Sequence, residues 1–580
     1  MLALSPPART PDRTLCPRPA ASRRAAAALA LAACATLAAG CRGGDAAPNR
    51  DGFVDSRDEY DPRTLDPALA TDVPTGRVVS YVFDGLTRFT PDARVAPGLA
   101  TRWEVSPDGR VYTFHLRPGV RFHDGTPLLA RHVVASWARA LGPSIKGGNK
   151  LPLFPIQGAR AVADGRAPAL AGARALDDST VQVTLDTALA IFPKLLAMPV
   201  ASVVAPNAGA DFGQHPVGTG PWRFVEWKHD DYLRFARNPG YWGGTPGVDT
   251  LTARIIPEPS TAVAEFENGT VDVLAVPEGE TRAWEQTDER QARLQSAPAL
   301  RLYYVAINTT RGPLADVRVR QALNLAVDKK AILDRLVAGR GVRASGVIPG
   351  ALDSLADDRA PYPYDPARAR QLLADAGFPN GIDVQLWSSQ QPTVARMAQA
   401  IQGYLKAANV RATLVQRDAP SVREAARNGQ VDLVVKDWFA DYPDADAFLT
   451  PLLASTSRGV GGNLSFYANK CVDSLITLAR RTADDQQRAA LSRQADSAAF
   501  ADAPLLYLFH YNVLYATQPW LRNFQVPVIY NGQRWLGVSV DHNNGAAAAP
   551  PPPAPASSGA ASSGAASSGA AAGGAPGGAR

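Results

Sequence analysis

The chain contains little sulfur, with four cysteines and three methionines among 580 residues. Cys16, Cys34 and Cys41 all lie in the first 41 residues, so Cys471 is the one cysteine in the rest of the sequence. A single cysteine cannot form an internal disulfide, which excludes a disulfide framework for the body of the protein. The seven histidines form no HExxH motif and none pairs with a cysteine at zinc-binding spacing, so we expect no metal and no cofactor.

An excess of charge is also missing from most of the chain. The formal net charge is +6, but the first 40 residues hold five arginines against one aspartate, which leaves +2 for the remainder. Nucleic-acid binding requires a clustered basic surface, so we expect no nucleic-acid partner. The globular part has neither a Walker loop nor a GxSxG motif, which disfavours an ATPase or a serine hydrolase.

Long hydrophobic runs are absent except near the start. Arg23 and Arg24 precede fifteen mostly apolar residues (25–39), which suit an export signal and are too few for a membrane-spanning helix. The ending LAAGC (37–41) resembles a bacterial lipobox. It predicts a lipoprotein signal peptide at 1–40 and lipid on Cys41, with cleavage elsewhere as the alternative. We therefore expect lipid anchoring in the periplasm or on the extracytoplasmic membrane surface.

Between its two ends the chain alternates between strand and helix patterns. A mixed α+β segment is predicted at about 80–208, and helices alternate with strands such as VDLVVKDW (431–438) over 307–507, which is typical of an α/β fold. The last residues, 546–580, consist almost entirely of Ala, Pro, Ser and Gly. Such a segment has no large apolar side chain to bury, so we predict a disordered tail.

The stretch KDWFADYPDADAF (436–448) places several carboxylates among aromatic rings. A carboxylate near rings is costly unless a cation, a proton or a charged ligand completes it. Asp441, Asp444 and Asp446 do not fit an EF-hand, because Pro443 interrupts the pattern and no distal glutamate follows. For Asp444 and Asp446 we expect a solvated surface position.

Several segments resemble one family in the same order. They are YVFDGLTRF (81–89), VRFHDGTPL (120–128), GTGPWRFVEW (218–227), YYVAINTTRGPLADVRVRQALNLAVDKKAI (303–332) and DWFADYPDADAFL (437–449). Together they resemble the dipeptide- and oligopeptide-binding proteins, the family 5 solute-binding proteins that serve ABC importers. The resemblance implies an α/β fold of the type II periplasmic-binding-protein kind, with two clam-like lobes and an extra α+β domain.

The resemblance also implies how the chain is divided. Lobe I is expected from three separate segments, lobe II from one, and the extra domain from the mixed segment. The ranges are 50–79, 209–306 and 508–545 for lobe I, 307–507 for lobe II, and 80–208 for the extra domain. The two chain crossings that would form the hinge are expected near 306–309 and 506–511.

For the binding site, the resemblance implies that Asp441 pairs with the α-ammonium of a peptide. A carboxylate is a suitable receptor for this cation, which every free peptide carries whatever its side chains are. The remaining implied positions are backbone groups of Asp437 and Phe439, backbone groups of Thr71 and Val73 on the opposite side, and pocket walls from Trp438 and Tyr442. The backbone groups would pair with the ligand as an added strand. Arg343, Arg411 and Arg417 are available for the ligand carboxylate, and the sequence assigns none of them.

The expected function is therefore transport rather than catalysis. A lipid-anchored, monomeric receptor would bind short peptides between its lobes and deliver them to an ABC permease and its ATPase. Alternatives are the same fold carrying a metal chelate, an oligosaccharide or an opine, a peptide hydrolase, and an interaction protein without cargo.

Overall fold

The computed structural model describes residues 52–58, 60–206, 209, 211–352 and 359–541. The predicted signal peptide, Cys41 and the tail at 546–580 lie outside these residues. The described residues belong to one compact unit.

The strands of this unit range from two to fourteen residues in length. They are β1 Gly52–Asp58, β2 Thr87–Phe89, β3 Val95–Pro97, β4 Ala100–Val105, β5 Val111–Leu116, β6 Ala173–Ala175, β7 Thr180–Thr184, β8 Trp222–Lys228, β9 Tyr232–Arg237, β10 Thr250–Ile255, β11 Val273–Ala275, β12 Leu294–Ile307, β13 Gly341–Arg343, β14 Ile382–Ser389, β15 Val410–Arg417, β16 Leu433–Phe439, β17 Leu505–Thr517, β18 Leu521–Arg522 and β19 Ser539–Val540.

The main sheet has eleven strands in the order β15-β14-β16-β12-β17-β11-β1-β10-β9-β8, with β13 also paired to β17. Its central pair, β12 and β17, is antiparallel and runs from Leu294 opposite Ala516 to Ala306 opposite Leu505. The register of this ladder shifts between Pro298 and Leu302. The predicted hinge segments at 306–309 and 506–511 therefore begin inside paired strands and not in loops.

The helices pack on this main sheet and on a second, smaller sheet. They are Val73–Val82, Ala130–Leu141, Ala159–Ala163, Phe192–Leu195, Pro259–Glu267, Thr281–Trp284, Asp288–Gln291, Val317–Ala326, Lys329–Leu336, Pro366–Asp375, Pro392–Ala407, Ala419–Arg427, Asp446–Leu453, Lys470–Arg481 and Asp485–Asp502. Local sequence explains several of their starts. Asp72, Asp365 and Asp418 each accept a hydrogen bond from a backbone N–H in the first turn of the following helix, and a proline stands in the same turn.

A second sheet, in the order β4-β5-β7-β6, lies within residues 80–208. Its inward side chains share one core with helix Ala130–Leu141, in which Trp137 is fully buried. The indole Nε1 of Trp137 donates to the carbonyl of Ala201 at 2.9 Å, so the polar atom of this buried ring is satisfied.

One buried ion pair joins this region to the C-terminal part of the chain. Asp84 is fully buried and accepts hydrogen bonds from Thr219, Tyr241 and Trp242 at 3.0–3.2 Å and from the guanidinium of Arg534. All four donors converge on one carboxylate, which compensates for removing its charge from water.

The described residues show neither a membrane span nor a metal cluster. No helix there is both long and apolar enough to cross a bilayer. No group of three or more His, Cys, Asp or Glu side chains there is arranged to hold a metal ion.

Candidate functional site

The acidic stretch 436–448 begins in β16 and continues into helix Asp446–Leu453. The backbone N–H of Ala440 donates to the carbonyl of Leu300 at 2.9 Å, which continues the pairing with β12 for one residue beyond the strand. Ala440 is fully buried, whereas Asp441, the next residue, is exposed. Asp441 therefore stands where the strand leaves the sheet.

The prediction that Asp444 and Asp446 are solvated is wrong. Their residues are only 6% and 5% exposed. Asp444 forms an ion pair of 2.5 Å with Lys194 and lies 3.7 Å from Arg488. Although burial opposes ionisation, these two cations lower the pKa of Asp444. The side chain thus attaches the acidic stretch to the region around helix Phe192–Leu195.

The carboxylate of Asp446 also has partners within the protein. It accepts hydrogen bonds from the hydroxyls of Tyr442, at 2.6 Å, and Thr450, and lies 3.4 Å from Nε of Arg480. The phenol of Tyr442 is thereby directed toward the protein, and burial raises its pKa. The indole of Trp438 also turns inward, since its Nε1 donates to the carbonyl of Ala447 at 2.7 Å.

Asp437 is held by an internal cation. The guanidinium of Arg301 donates to its carboxylate at 2.8 and 3.0 Å and lies over the rings of Tyr303 and Tyr511. Against the effect of burial, Arg301 lowers the pKa of Asp437. The carboxylate of Asp437 is therefore engaged, and only its backbone remains for a ligand.

One edge of β16 is free where the sequence predicts an added strand. Within the described residues, β14 pairs with β16 only at Leu433 and Val434. Hydrogen-bonded residues alternate along an antiparallel pair, and Ala440 bonds to β12. The backbone groups of Asp437 and Phe439 consequently point to the opposite, free edge. That is the orientation that a peptide backbone needs for pairing.

Asp441 differs from the other three carboxylates of the stretch. Among the described residues, no side-chain hydrogen bond or ion pair reaches it. Desolvation raises its pKa to about 6, although the side chain is still reached by water. Asp441 is therefore still mostly ionised at pH 7, and no cation of the described residues offsets the cost of its desolvation.

Across from Asp441 lies the segment that leads into helix Val73–Val82. Thr71, Val73, Tyr530 and Asp441 line one cavity of about 80 Å³. Thr71 is exposed and lies outside regular secondary structure, whereas Val73 is the first residue of the helix. The cause is local, because a capping aspartate and a proline at 72 and 74 start a helix there.

The cavity also contains residues that the sequence did not indicate. Asn149, Met198, Pro199 and Val200 line it, together with Tyr530. These residues lie hundreds of positions from Asp441 or in segments without a recognisable motif, so no sequence signal pointed to them.

Tyr530 packs closely on helix Val73–Val82 at Gly76. A Cβ at Gly76 would lie 2.4 Å from Cε2 of Tyr530, so only glycine allows this approach. Burial raises the pKa of the Tyr530 phenol, and the carboxylates of Asp441 and Asp72 raise it further. The phenol therefore stays protonated and faces two acids.

Asp72, the second acid near Tyr530, already has partners within the protein. It accepts a hydrogen bond from the N–H of Thr75 at 2.9 Å and lies 3.5 Å from Arg63. The two carboxylates of the cavity thus differ, since Asp72 has protein partners and Asp441 has none among the described residues.

The three arginines considered for the ligand carboxylate lie elsewhere. Arg411 on β15 donates two hydrogen bonds of 2.7 Å to the carboxylate of Asp383, its paired residue on β14. Arg417 donates to the carbonyl of its neighbour Gln416, and Arg343 is exposed on β13. None of the three lines the cavity that contains Asp441.

Comparison with known proteins decides the family. The model of the bacterial extracellular solute-binding proteins, family 5 (middle region), matches residues 94–459. The chain belongs to this family. Family 5 proteins are the extracytoplasmic solute-binding components of ABC importers.

Curated relatives cover most of the chain. The glutathione-binding protein GsiB of Pectobacterium atrosepticum is 32% identical and aligns with 80% of this chain and 89% of its own. Heme-binding protein A of Haemophilus influenzae is 33% identical and aligns with 79% of this chain and 87% of its own. The dipeptide-binding protein of Escherichia coli is 32% identical and aligns with 78% of this chain and 88% of its own. These family 5 relatives are binding proteins and not enzymes, which assigns a binding role to the chain.

A solved structure agrees with the fold. The clavulanic acid biosynthesis oligopeptide binding protein 2 superposes with a TM-score of 0.77 at 25% identity, over 86% of this chain and 97% of that protein. The fold is therefore the type II periplasmic-binding-protein fold that the resemblance implies. Which ligand the family 5 site accepts here is a separate question.

Proposed function

We propose that this chain binds short peptides between its lobes and delivers them to an ABC permease and its ATPase while a lipid on Cys41 holds it to the membrane. The proposal rests chiefly on Asp441, which no cation of the described residues pairs, and on its place after a strand whose edge beyond Val434 is unpaired within those residues. A peptide supplies both missing partners, an ammonium for the carboxylate and a backbone for the edge.

The positions of Asp441 and of the free edge of β16 support one direction for the bound peptide. The ammonium would lie at Asp441, and the main chain would pass the backbone groups of Phe439 and then Asp437. Thr71 and Val73 line the same cavity as Asp441 and would contact the first residue of the peptide through their backbone groups. Trp438 and Tyr442 would act by supporting the stretch, since both direct their polar atoms inward.

Closure on such a ligand has a simple thermodynamic basis. In the closed state both sides of the cavity contact the peptide, whereas in the open state only one side does. The peptide therefore binds the closed state more tightly, and binding shifts the open–closed equilibrium toward it. The permease would then recognise the closed, loaded receptor.

A cargo other than a peptide is the second candidate, because relatives at similar identity are named for glutathione and for heme. Calorimetry of the mature protein separates the two. We expect a mixture of di- to pentapeptides with free amines to bind, and the same mixture after N-acetylation to bind much more weakly. Equal binding of both mixtures, or tight binding of heme with no peptide binding, contradicts the proposal.

A further inference from the structure

The main sheet has two halves, which the long strands β12 and β17 connect. In one half, residues 301–307 of β12 pair with β16, and in the other, residues 515–517 of β17 pair with β11. We call them the β16 half, which also contains β14 and β15, and the β11 half, which also contains β1 and β8 to β10. Between the two stretches the register of the β12–β17 ladder shifts, from Pro298 to Leu302. Such a shift interrupts the ladder and bends the strand, so the halves meet where their angle can change.

Residues 276–284, which follow β11, form a bridging segment between the two halves. Val276 and Trp284 are buried in one hydrophobic core with Phe266 and Leu514. The N–H of Val276 also donates to the carbonyl of Leu514 on β17 at 2.9 Å. Burial of these apolar side chains fixes the bridging segment to the β11 half.

One hydrogen bond from the bridging segment to the β16 half involves a carboxylate. The hydroxyl of Thr393 donates to Oε2 of Glu278 at 2.6 Å. Thr393 lies in the first turn of helix Pro392–Ala407, and the N-terminal end of a helix favours a nearby negative charge. The phenol of Tyr511 on β17 lies beside the same carboxylate, because burial raises its pKa and Glu278 raises it further. Hydrogen bonds to a carboxylate are about twice as strong as neutral ones, so this is a strong contact between the halves.

Two further hydrogen bonds join the bridging segment to the β16 half. Arg340, directly before β13, donates through Nη1 to the carbonyl of Val276 at 2.8 Å. Arg282 donates to the carbonyl of Asp334, on helix Lys329–Leu336, at 3.2 Å. The donor side chains are half-buried or exposed, so water can replace these bonds when the halves separate.

The same arrangement brings the two sides of the binding cavity together. Thr71 precedes helix Val73–Val82, which packs on the β11 half, and Asp441 follows β16. Both residues line one cavity, so the bonds of the bridging segment belong to a closed arrangement. Because these bonds join protein to protein, they favour closure whether or not a ligand is bound.

We propose that Glu278 is a positioning residue for ligand binding, because its bond to Thr393 favours the closed arrangement over the open one. The inference rests on the proposed binding between the lobes, but not on which cargo binds. When a fraction of the receptor is closed, the apparent Kd is the intrinsic Kd divided by that fraction. Loss of the bond should therefore weaken every ligand by the same factor, whereas loss of Asp441 affects ligands with a free amine.

Thr393→Val keeps the shape of the side chain and removes its hydroxyl. We expect the closed fraction, measured without ligand, to fall by about three- to ten-fold, and the Kd for pentaalanine to rise by the same factor. Spin labels on the exposed Cys471 of the β16 half and on Val225→Cys of the β11 half report that fraction as a distance distribution. The mature chain carries Cys41→Ser for this measurement, and calorimetry gives the Kd.

Two further variants test the pair itself. Thr393→Ser keeps the hydroxyl and should restore both the closed fraction and the Kd. Glu278→Ala should reproduce the loss. The double variant with Thr393→Val should lose no more than either single variant, because both substitutions remove the same bond.

Thr477→Val is the matched control, because the hydroxyl of Thr477 donates within its own helix to the carbonyl of Asp473 and should affect neither value. Thermal unfolding midpoints establish that each variant is folded. A weaker Kd at an unchanged closed fraction, or a Thr393→Val variant that matches the wild type in both, overturns the inference. If acetylation of the peptide amine still abolishes binding in that case, the proposed function stands. If the closed fraction falls as expected but no peptide binds, the proposed function fails and the positioning role of Glu278 stands.

Discussion

Replacing Asp441 with asparagine removes the charge and keeps the size of the side chain. Truncating one partner of a desolvated ion pair costs ~2–5 kcal/mol in binding. Asp441 is still reached by water in this structure, so we expect the lower end, about 2 kcal/mol, which is about 30-fold in Kd. The loss should apply to peptides with a free amine and disappear for N-acetylated ones, because acetylation removes the cation.

The pH dependence provides an independent measure of the same group. The pKa of free Asp441 is about 6, and an ammonium partner would lower it in the complex. Protonated Asp441 cannot pair, so affinity is lost as pH falls through 6. At pH 5 about a tenth of the carboxylate is ionised, which predicts about ten-fold weaker binding than at pH 7. A peptide amine stays protonated over this range, and the asparagine variant should show no such slope.

Calorimetry at pH 7 and pH 5 measures both effects with free and acetylated forms of one peptide. Asp72→Asn is the matched control, because it changes the other acid of the cavity and asparagine still caps the helix. Its effect should be small and equal for both peptides. If Asp441→Asn weakens free and acetylated peptides equally, or if wild-type affinity is flat between pH 5 and 7, the role assigned to Asp441 is refuted.

Further predictions concern the framework around the site. Asp84→Ala leaves Arg534 buried without its acid and should lower the free energy of unfolding by about 3–5 kcal/mol in urea titrations, whereas an unchanged midpoint would contradict the buried pair. Gly76→Ala should displace Tyr530 and weaken peptide binding more than it lowers the melting temperature. Burial lowers the pKa of His510 to about 4, so between pH 6.5 and 4 the unfolded chain binds a proton that the folded chain does not. The free energy of unfolding should therefore fall as the pH is lowered from 6.5 to 4. Urea titrations of His510→Gln over this range should show a flatter dependence.

Strand β16 and the place of Asp441 just after it were predictable because the information is local. Alternating apolar residues in VDLVVKDW predict β16, and the family pattern after it marks Asp441. Val73 shows how a local signal can be overlooked. The aspartate and proline around it are typical of a helix start, and this start was not predicted.

The burial of Asp444 was not predictable from local sequence. Its main partner, Lys194, is 250 residues away, and nothing near either residue indicates the pairing. The same holds for Tyr530, which reaches the cavity from near the C-terminus. Contacts of this kind follow from the path of the chain through the main sheet, and a pattern of neighbouring residues does not contain that path.

The ion pair between Lys194 and Asp444 has a consequence for binding affinity. The short connection that carries Asp441 is fixed before it by the hydrogen bond to Leu300 and after it by this pair, so its backbone is already ordered without a ligand. The backbone around Asp441 therefore loses little conformational entropy when a ligand binds. Differences in affinity among ligands should then reflect mainly the flexibility of the ligands themselves, and a peptide stiffened by proline should gain over a glycine-containing one of equal length and charge.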